Sequence, residues 1–170
     1  MSKDVGRRRL VSARRLAYRV GYHVMDAYVR VRGHGPSGVK CVLSHDGEVL
    51  AVRHTYGPRA WHLPGGGMRR REEPARAAAR ELREELGLDV PLQELGIYRV
   101  GTRGVRATLH CYGATLGSRA MTPDPVEIAE VTWMTPEALA SRLKDWDPPA
   151  QVLLAHVGSW SRPGAAQERE

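Results

Sequence analysis

The sequence has only two cysteines, no long apolar run and no internal repeat in its 170 residues. Cys41 and Cys111 each lie in an apolar stretch without a second cysteine at metal-ligand spacing, so we expect both to be reduced core residues of a cytoplasmic protein. No apolar run approaches the roughly 18–20 residues of a membrane-spanning helix. The basic start is not followed by the apolar stretch of a secretory signal peptide. The length fits one domain with a single core.

The net charge of +7 is concentrated near the N-terminus. Residues 1–32 hold nine lysines or arginines against two acidic residues, whereas the rest of the chain holds 17 of each sign. The high isoelectric point therefore belongs to an N-terminal extension. It does not identify the whole chain as a nucleic-acid-binding protein.

Residues 8–31 show the period of an amphipathic helix, with apolar residues recurring at steps of three and four. Three interpretations of this helix stay open. It packs on its own domain or on a second subunit of a homodimer, it contacts an anionic membrane or nucleic acid through residues 1–32, or it is an organelle-targeting presequence. We favour packing. The predicted organisation is a basic helical extension over 1–33, a folded domain over 34–162 and a disordered tail over 163–170.

Five strands and three helices are predicted after this extension. The strands are Val39–Ser44, Glu48–His54, Leu92–Val100, Ala107–Thr115 and Glu127–Met134. A His45-Asp46-Gly47 turn joins the first two strands into a hairpin. The helices are Glu73–Leu86, Pro136–Lys144 and Pro149–Trp160. Helices interleaved with a strand-built middle predict an α/β fold in which helices cover a mixed sheet.

The helix predicted over Glu73–Leu86 carries three glutamates on one face. Glu81, Glu84 and Glu85 are spaced i, i+3 and i+4, so at about 100° per residue they share one arc of the helix. A separate arc provides an apolar stripe for packing on the sheet, formed by Ala75, Ala78, Ala79, Leu82 and Leu86. Carboxylate oxygens suit Mg²⁺ or Mn²⁺. Three glutamates alone, however, equally fit an ordinary solvated acidic face.

The residues around these glutamates favour the metal site. Gly66 is followed after five residues by Glu72, and seven residues later comes Arg80-Glu81-Leu82-Arg83-Glu84-Glu85-Leu86-Gly87-Leu88. These residues match a pattern that reads glycine, five residues, glutamate, seven residues, then Arg-Glu-U-x-Glu-Glu-x-Gly-U, where U is a bulky aliphatic residue. Every fixed position of the pattern is met. The segment therefore resembles the Nudix box. The preceding Trp61-His62-Leu63-Pro64-Gly65-Gly66 is similar to the lead-in common in that family.

The resemblance implies an α/β/α sandwich that hydrolyses a nucleoside diphosphate linked to another moiety, such as a nucleotide or a sugar. It implies that Glu81, Glu84 and Glu85 ligate Mg²⁺, or alternatively Mn²⁺, with the carbonyl of Gly66 as a backbone ligand. The reaction that we infer is attack of a metal-activated water on one phosphorus of the diphosphate.

The identity of the general base stays open at this point. Glu84 or Glu85 would deprotonate the water, but some relatives use a glutamate from a later loop. Glu127 and Glu130 are the candidates for that role, and an exposed position on a strand is the plain alternative for both.

Other residues of the segment have expected binding or structural roles. Arg53, Arg59 and His62 are candidates for contacting the substrate, because guanidinium forks suit phosphate oxygens. The plain alternatives are solvated arginines and a hydrogen-bonded structural histidine. Glu72 and Arg80 are expected to pair and to brace the loop of the motif against its helix.

The alternative function is a catalytically silent Nudix-fold module that senses a nucleotide. Such modules commonly lose the glutamates or the arginine of the box, and this chain retains all of them, which favours an enzyme. The substrate does not follow from the box. The proline expected beyond the box in relatives that accept ADP-ribose is absent, because Gly104 occupies its place.

Overall fold

The computed structural model describes Leu16, Val20 and the ranges 37–100, 106–143 and 147–148. Leu16 and Val20 are helical and largely exposed. The rest of the helix predicted over 8–31 lies outside the described residues. The same holds for the helix predicted over 149–160 and for the predicted tail over 163–170. These three elements therefore stay predictions.

Five strands form one mixed sheet, and each lies where the sequence predicts a strand. They are β1 (Gly38–His45), β2 (Glu48–His54), β3 (Gln93–Val100), β4 (Ala107–Thr115) and β5 (Ile128–Met134). Their order across the sheet is β3-β4-β1-β2-β5. Strands β1 and β4 are parallel, whereas the other three neighbouring pairs are antiparallel. Strand β1 therefore lies in the middle of the sheet.

The hairpin predicted between the first two strands is present. Strand β1 ends at His45 and β2 begins at Glu48, which leaves Asp46 and Gly47 as a two-residue connection. Both connecting residues have positive φ, at 50° and 79°. This combination is that of the type I′ turn, whose twist matches the twist of the flanking strands.

Two helices cover opposite faces of the sheet and complete an α/β/α sandwich. They are α1 (Pro74–Leu86) and α2 (Pro136–Ala140). Alternate residues of β1 divide between the two cores, with Val39, Cys41 and Leu43 on the side of α1 and Val42 on the side of α2. Each fully buried leucine contributes about 1.5–3 kcal/mol through the apolar surface that it removes from water. The predicted fold class is confirmed.

Helix α1 begins one residue later than predicted. Glu73 is its N-cap, Pro74 occupies the first turn and Gly87 caps the C-terminal end, as the sequence indicates. Its buried apolar residues are Ala77, Ala78, Leu82 and Leu86. Ala77 thus takes the place that we predicted for Ala75, which is exposed. This packing turns the glutamates of the motif toward the loop that precedes the helix.

Helix α2 is shorter than predicted. Thr135 caps its N-terminal end, and its hydroxyl accepts a hydrogen bond from Ala138 N at 3.3 Å. The helix ends at Ala140, because the Arg142 N–H donates to Leu139 O at 2.8 Å and tightens the chain into a turn. The predicted end, Lys144, lies outside the described residues.

The two cysteines are free and buried in the two cores, as predicted. Burial raises the pKa of Cys111 to about 12 and raises the pKa of Cys41 further still. Both thiols are therefore protonated at neutral pH. In the part of the chain that the structure describes, no helix has the length and apolarity to cross a membrane.

Candidate active site

The three predicted metal-ligating glutamates of α1 lie in three different environments. The side chain of Glu85 is 2% exposed, that of Glu81 is 11% exposed and that of Glu84 is 45% exposed. The helix face that carries them therefore runs from the core to the solvent. Only Glu84 has the exposure expected of a solvated acidic face.

Glu85 is joined to the glycine loop that precedes the helix. The Gly65 N–H donates to Glu85 Oε2 at 2.9 Å in a buried environment. Burial raises the pKa of Glu85 to about 8, although Lys40 and the hydrogen bond from Gly65 oppose the rise. On its other side, Glu85 Oε1 lies 3.8 Å from Nδ1 of His54. A buried carboxyl of this kind is ionised only when positive charge compensates it.

Glu81 lies against the next residue of the same loop. A Cβ added to Gly66 would lie 2.8 Å from the carboxylate carbon and from both carboxylate oxygens of Glu81. Only glycine leaves room for this approach. Burial raises the pKa of Glu81, although Arg80 donates to its Oε1 at 2.7 Å and lowers it.

Arg80 links the loop and the helix through all of its donor nitrogens. Its Nε and Nη2 donate to the two oxygens of Glu72 at 2.7 and 2.9 Å, so the expected Glu72–Arg80 pair is present. Its Nη1 donates to Glu81 at 2.7 Å and to Glu84 at 2.9 Å, and its Nη2 also donates to Gly67 O at 3.0 Å. The hydrogen bonds from Arg80 lower the pKa of Glu72 to about 2.

The oxygen atoms of the predicted metal ligands are of the kind that binds a divalent cation, but they do not surround one common point. Within the described ranges, no three carboxyl, imidazole or thiol groups converge closely enough to hold a metal. The predicted convergence is absent because Arg80 draws Glu81 and Glu84 to its guanidinium, while the carbonyl of Gly66 accepts a hydrogen bond from β1. The Glu81 carboxylate nevertheless fills the space beside Gly66, and Glu85 is a buried carboxyl. Hard oxygens in this arrangement suit Mg²⁺ or Mn²⁺.

Glu130, a predicted catalytic residue, lies in an ion pair with Arg53. The two are partners across β2 and β5, and Arg53 Nη1 donates to both carboxylate oxygens at 2.9 and 2.8 Å. The Arg53 guanidinium also lies 4.2 Å from the centre of the Trp61 ring. Arg53 is therefore already occupied in this structure, and Glu130 neutralises its guanidinium.

Glu127, the other glutamate considered for a base, lies nearer to the cluster. Its charge raises the pKa of both Glu81 and Glu85. Its backbone carbonyl accepts a hydrogen bond from Thr55 N at 2.8 Å, which fixes the start of β5 against the end of β2. The charge of Glu127 therefore reaches the carboxylates of α1.

His62 and Arg59 differ in their surroundings. The Nδ1 of His62 lies 2.9 Å from Asp147 Oδ2, and the His62 backbone pairs with Val52 in an isolated bridge. These contacts match the structural alternative that we gave for His62. Arg59 is exposed. Of the three predicted substrate contacts, Arg59 is thus the one that the structure places in the solvent.

Comparisons with known proteins identify the family. Residues 35–157 match the family described as NUDIX domain. The chain belongs to the Nudix family. It is 33% identical over 113 residues to a MutT-like protein of Streptomyces ambofaciens, and the aligned region covers 66% of this chain and 71% of the relative. It is 34% identical over 147 residues to an uncharacterized Nudix hydrolase of Rhodococcus erythropolis, covering 75% and 78% of the two chains.

The fold is similar to that of solved Nudix structures. The dihydroneopterin triphosphate pyrophosphohydrolase of E. coli superposes with a TM-score of 0.61 at 21% identity, over 73% of this chain and 96% of that one. Family membership makes this chain a Nudix-type pyrophosphohydrolase. The box that we identified in the sequence is accordingly the segment that contains the site described above.

Two residues beside the glycine loop of this Nudix hydrolase were not predicted from the sequence to have a role. Lys40 Nζ donates to Leu63 O at 2.8 Å, and its side chain is 12% exposed. Asp147 has a fully buried side chain. Burial alone would raise the pKa of Asp147, but Lys40 and then His62 lower it below its usual value. The one signal in the sequence was Lys40 itself, a charged residue inside the apolar run of β1.

Proposed function

We propose that this Nudix hydrolase cleaves a diphosphate bond in a nucleoside diphosphate linked to another moiety, with a divalent cation held by α1. The proposed ligands of this cation are Glu81, Glu84, Glu85 and the carbonyl of Gly66. The observation that supports the proposal is that Glu85 and Glu81 meet adjacent glycines of the loop, through a hydrogen bond to Gly65 and a close contact with Gly66. We assign this activity to a domain spanning residues 34–162.

Some residues of the site bind the cation, and others hold the glycine loop in position. A bound Mg²⁺ or Mn²⁺ would neutralise phosphate oxygens and lower the pKa of a coordinated water. Glu81 and Glu85 provide buried carboxylates beside the loop, and Glu84 provides the most exposed one. Arg80 positions the loop through Glu72, since its fork satisfies both oxygens of that carboxylate.

We propose Arg59 as the main phosphate contact outside the box. A guanidinium binds phosphate oxygens through paired donors, and Arg59 is exposed. Arg53 would first have to leave Glu130, which accepts two hydrogen bonds from it. His62 would have to leave Asp147, so we assign it a structural role.

A substrate screen tests the proposed reaction. Candidate nucleoside diphosphate derivatives are incubated with Mg²⁺ or Mn²⁺ in ¹⁸O-labelled water, and both products are identified by mass. The product that carries the label shows which phosphorus is attacked. Hydrolysis of at least one member is expected. A chain that binds a nucleotide but hydrolyses none of them is a sensing module, which is the alternative function.

Glu84→Gln is expected to lower kcat by about 100-fold on any substrate found. The substitution removes one negative charge from the exposed side of the cluster and leaves the buried contacts of Glu81 and Glu85 in place. Glu73→Gln is the matched control. Glu73 is an exposed glutamate at the N-cap of the same helix, and its side chain forms no capping hydrogen bond. Steady-state kinetics measures both variants. Equal kcat values for wild type and Glu84→Gln contradict the proposed role.

We propose Glu127 as the general base that accepts the proton of the attacking water. Glu127→Gln is then expected to lower kcat by about 100-fold, the range typical of a positioned base. Glu130→Gln provides the matched comparison three residues further along the chain, within β5, because it disrupts the pair with Arg53. We expect a small effect from Glu130→Gln. If Glu130→Gln causes the larger loss of kcat, the assignment to Glu127 is wrong.

A further inference from the structure

A lysine side chain reaches the glycine loop from the face of the sheet opposite to α1. Lys40 lies between Val39 and Cys41, which pack toward α1, so its side chain projects to the other face. From there its ammonium donates to Leu63 O at 2.8 Å and to Gly65 O at 3.5 Å. The loop is therefore held at two carbonyls by a single charged group, which comes from the central strand.

A buried carboxylate completes this arrangement. Asp147 Oδ1 accepts a hydrogen bond from Leu63 N at 3.3 Å and lies 3.9 Å from Lys40 Nζ. Asp147 Oδ2 lies 2.9 Å from Nδ1 of His62. Asp147 thus contacts His62, Leu63 and the lysine that donates to the carbonyls of Leu63 and Gly65. Its position beyond α2 links the end of the described chain to the segment that leads into the box.

The geometry points to Lys40 and Asp147 as positioning residues that fix the 62–66 loop so that Gly65 N–H faces Glu85. This inference rests on the proposed function, in which Glu85 and the Gly66 carbonyl hold a cation. The connection is short, because Gly65 receives Lys40 at its carbonyl and donates to Glu85 from its amide. A change at Lys40 or Asp147, on the face of the sheet opposite to α1, would therefore displace Gly65 relative to the Glu85 carboxylate on α1.

The burial of these groups argues against a role in general stability alone. A buried ion pair is weak evidence for stability, because taking two charges out of water offsets most of their attraction. An apolar residue at position 40 would pack in this core without a partner at position 147. Groups that orient metal ligands from behind, in contrast, typically change affinity or activity by about 10–100-fold when they are replaced.

The test compares Lys40→Met and Asp147→Asn with the wild-type full-length chain. Lys40→Met keeps most of the aliphatic stem and removes the ammonium, and Asp147→Asn keeps the shape and removes the charge. We expect either variant to lower kcat by about 10–100-fold with a smaller change in KM, and to weaken Mn²⁺ binding measured without substrate. Lys40→Arg, which keeps a cationic donor, is expected to restore part of the activity. Arg119→Met, which removes an exposed ion pair with Glu48, is the control.

A second readout separates this inference from the proposed function. The amide of Gly65 is observed by NMR and hydrogen exchange in the metal-free protein, where hydrolysis plays no part. Lys40→Met and Asp147→Asn are each expected to shift its resonance and to speed its exchange by about tenfold or more, because the hydrogen bond to Glu85 weakens. Folded variants with an unchanged Gly65 amide and unchanged Mn²⁺ affinity overturn the inference. If Lys40→Met does not fold, the same two measurements on Asp147→Asn decide.

Discussion

Replacing Glu85 by glutamine is expected to lower kcat by about 10³- to 10⁴-fold, at the upper end of the range for a group that acts directly in a proton-transfer or metal site. The glutamine oxygen can still accept the hydrogen bond from Gly65 N, which is 2.9 Å long in the wild type. The loop therefore keeps its position, and the change is confined to charge. Since Glu85 is nearly completely buried, no water replaces the lost carboxylate oxygen.

The same substitution is expected to leave the metal-free fold intact. Burial raises the pKa of Glu85, which means that the fold disfavours its ionised form. At neutral pH the metal-free protein must therefore take up a proton at Glu85 on folding, which costs stability. Glutamine is neutral without this step, so the melting temperature in a chelating buffer should equal or exceed that of the wild type. Circular dichroism measures this directly. A variant that has lost both activity and fold shows that Glu85 is a structural residue.

Cation binding provides the matching measurement on the two proteins. A ligand that binds only the folded state stabilises it by about 2.7 kcal/mol when its concentration is one hundred times Kd. Added Mg²⁺ should therefore raise the melting temperature of the wild type and have much less effect on Glu85→Gln. Glu73→Gln, on the exposed start of the same helix, should respond as the wild type does. Equal responses of wild type and Glu85→Gln would remove Glu85 from the proposed ligands.

Local signals in the sequence were sufficient for most of the fold and for the Glu72–Arg80 pair of the motif. Helix α1 has strong helix formers, a proline in its first turn and a glycine at its end, and it lies within one residue of its predicted bounds. The hairpin follows from Asp46 and Gly47, which suit one turn type. The pairing of Glu72 with Arg80 depends on residues eight apart in one motif. In each case the interacting groups are close in the chain.

The contacts that the sequence did not predict depend on distant segments. Arg53 meets Glu130 because of the register between β2 and β5, which shifts between Arg53 and His54. Glu127 lies in the turn before β5 and Glu130 lies within the strand, so both are near this edge, but only the register decides which one pairs with an arginine. Asp147 and Lys40 lie at opposite ends of the described domain. Their contact exists only after the sheet and α2 have formed, so no local pattern indicates it.

Gly65→Ala is expected to lower the free energy of unfolding by about 2–6 kcal/mol, from backbone strain together with overpacking. Gly65 has a φ of +124°, which residues with a side chain rarely adopt. An added Cβ would also lie 2.3 Å from Val39 O and 3.1 Å from Lys40 Cα. Both are backbone atoms of β1, which is held between β4 and β2 and cannot move aside. Urea denaturation followed by tryptophan fluorescence measures the loss.

Gly47→Ala is the matched control for the backbone term. Gly47 also has positive φ, at +79°, but no heavy atom lies within 4 Å of an added Cβ. Its substitution should therefore cost only about 1–2 kcal/mol and leave kcat unchanged. Gly65→Ala should in addition lower kcat in the molecules that remain folded, because its amide can no longer meet Glu85. If the two alanine variants lose the same stability and retain the same kcat, the close packing of the loop on β1 contributes neither to the fold nor to the site.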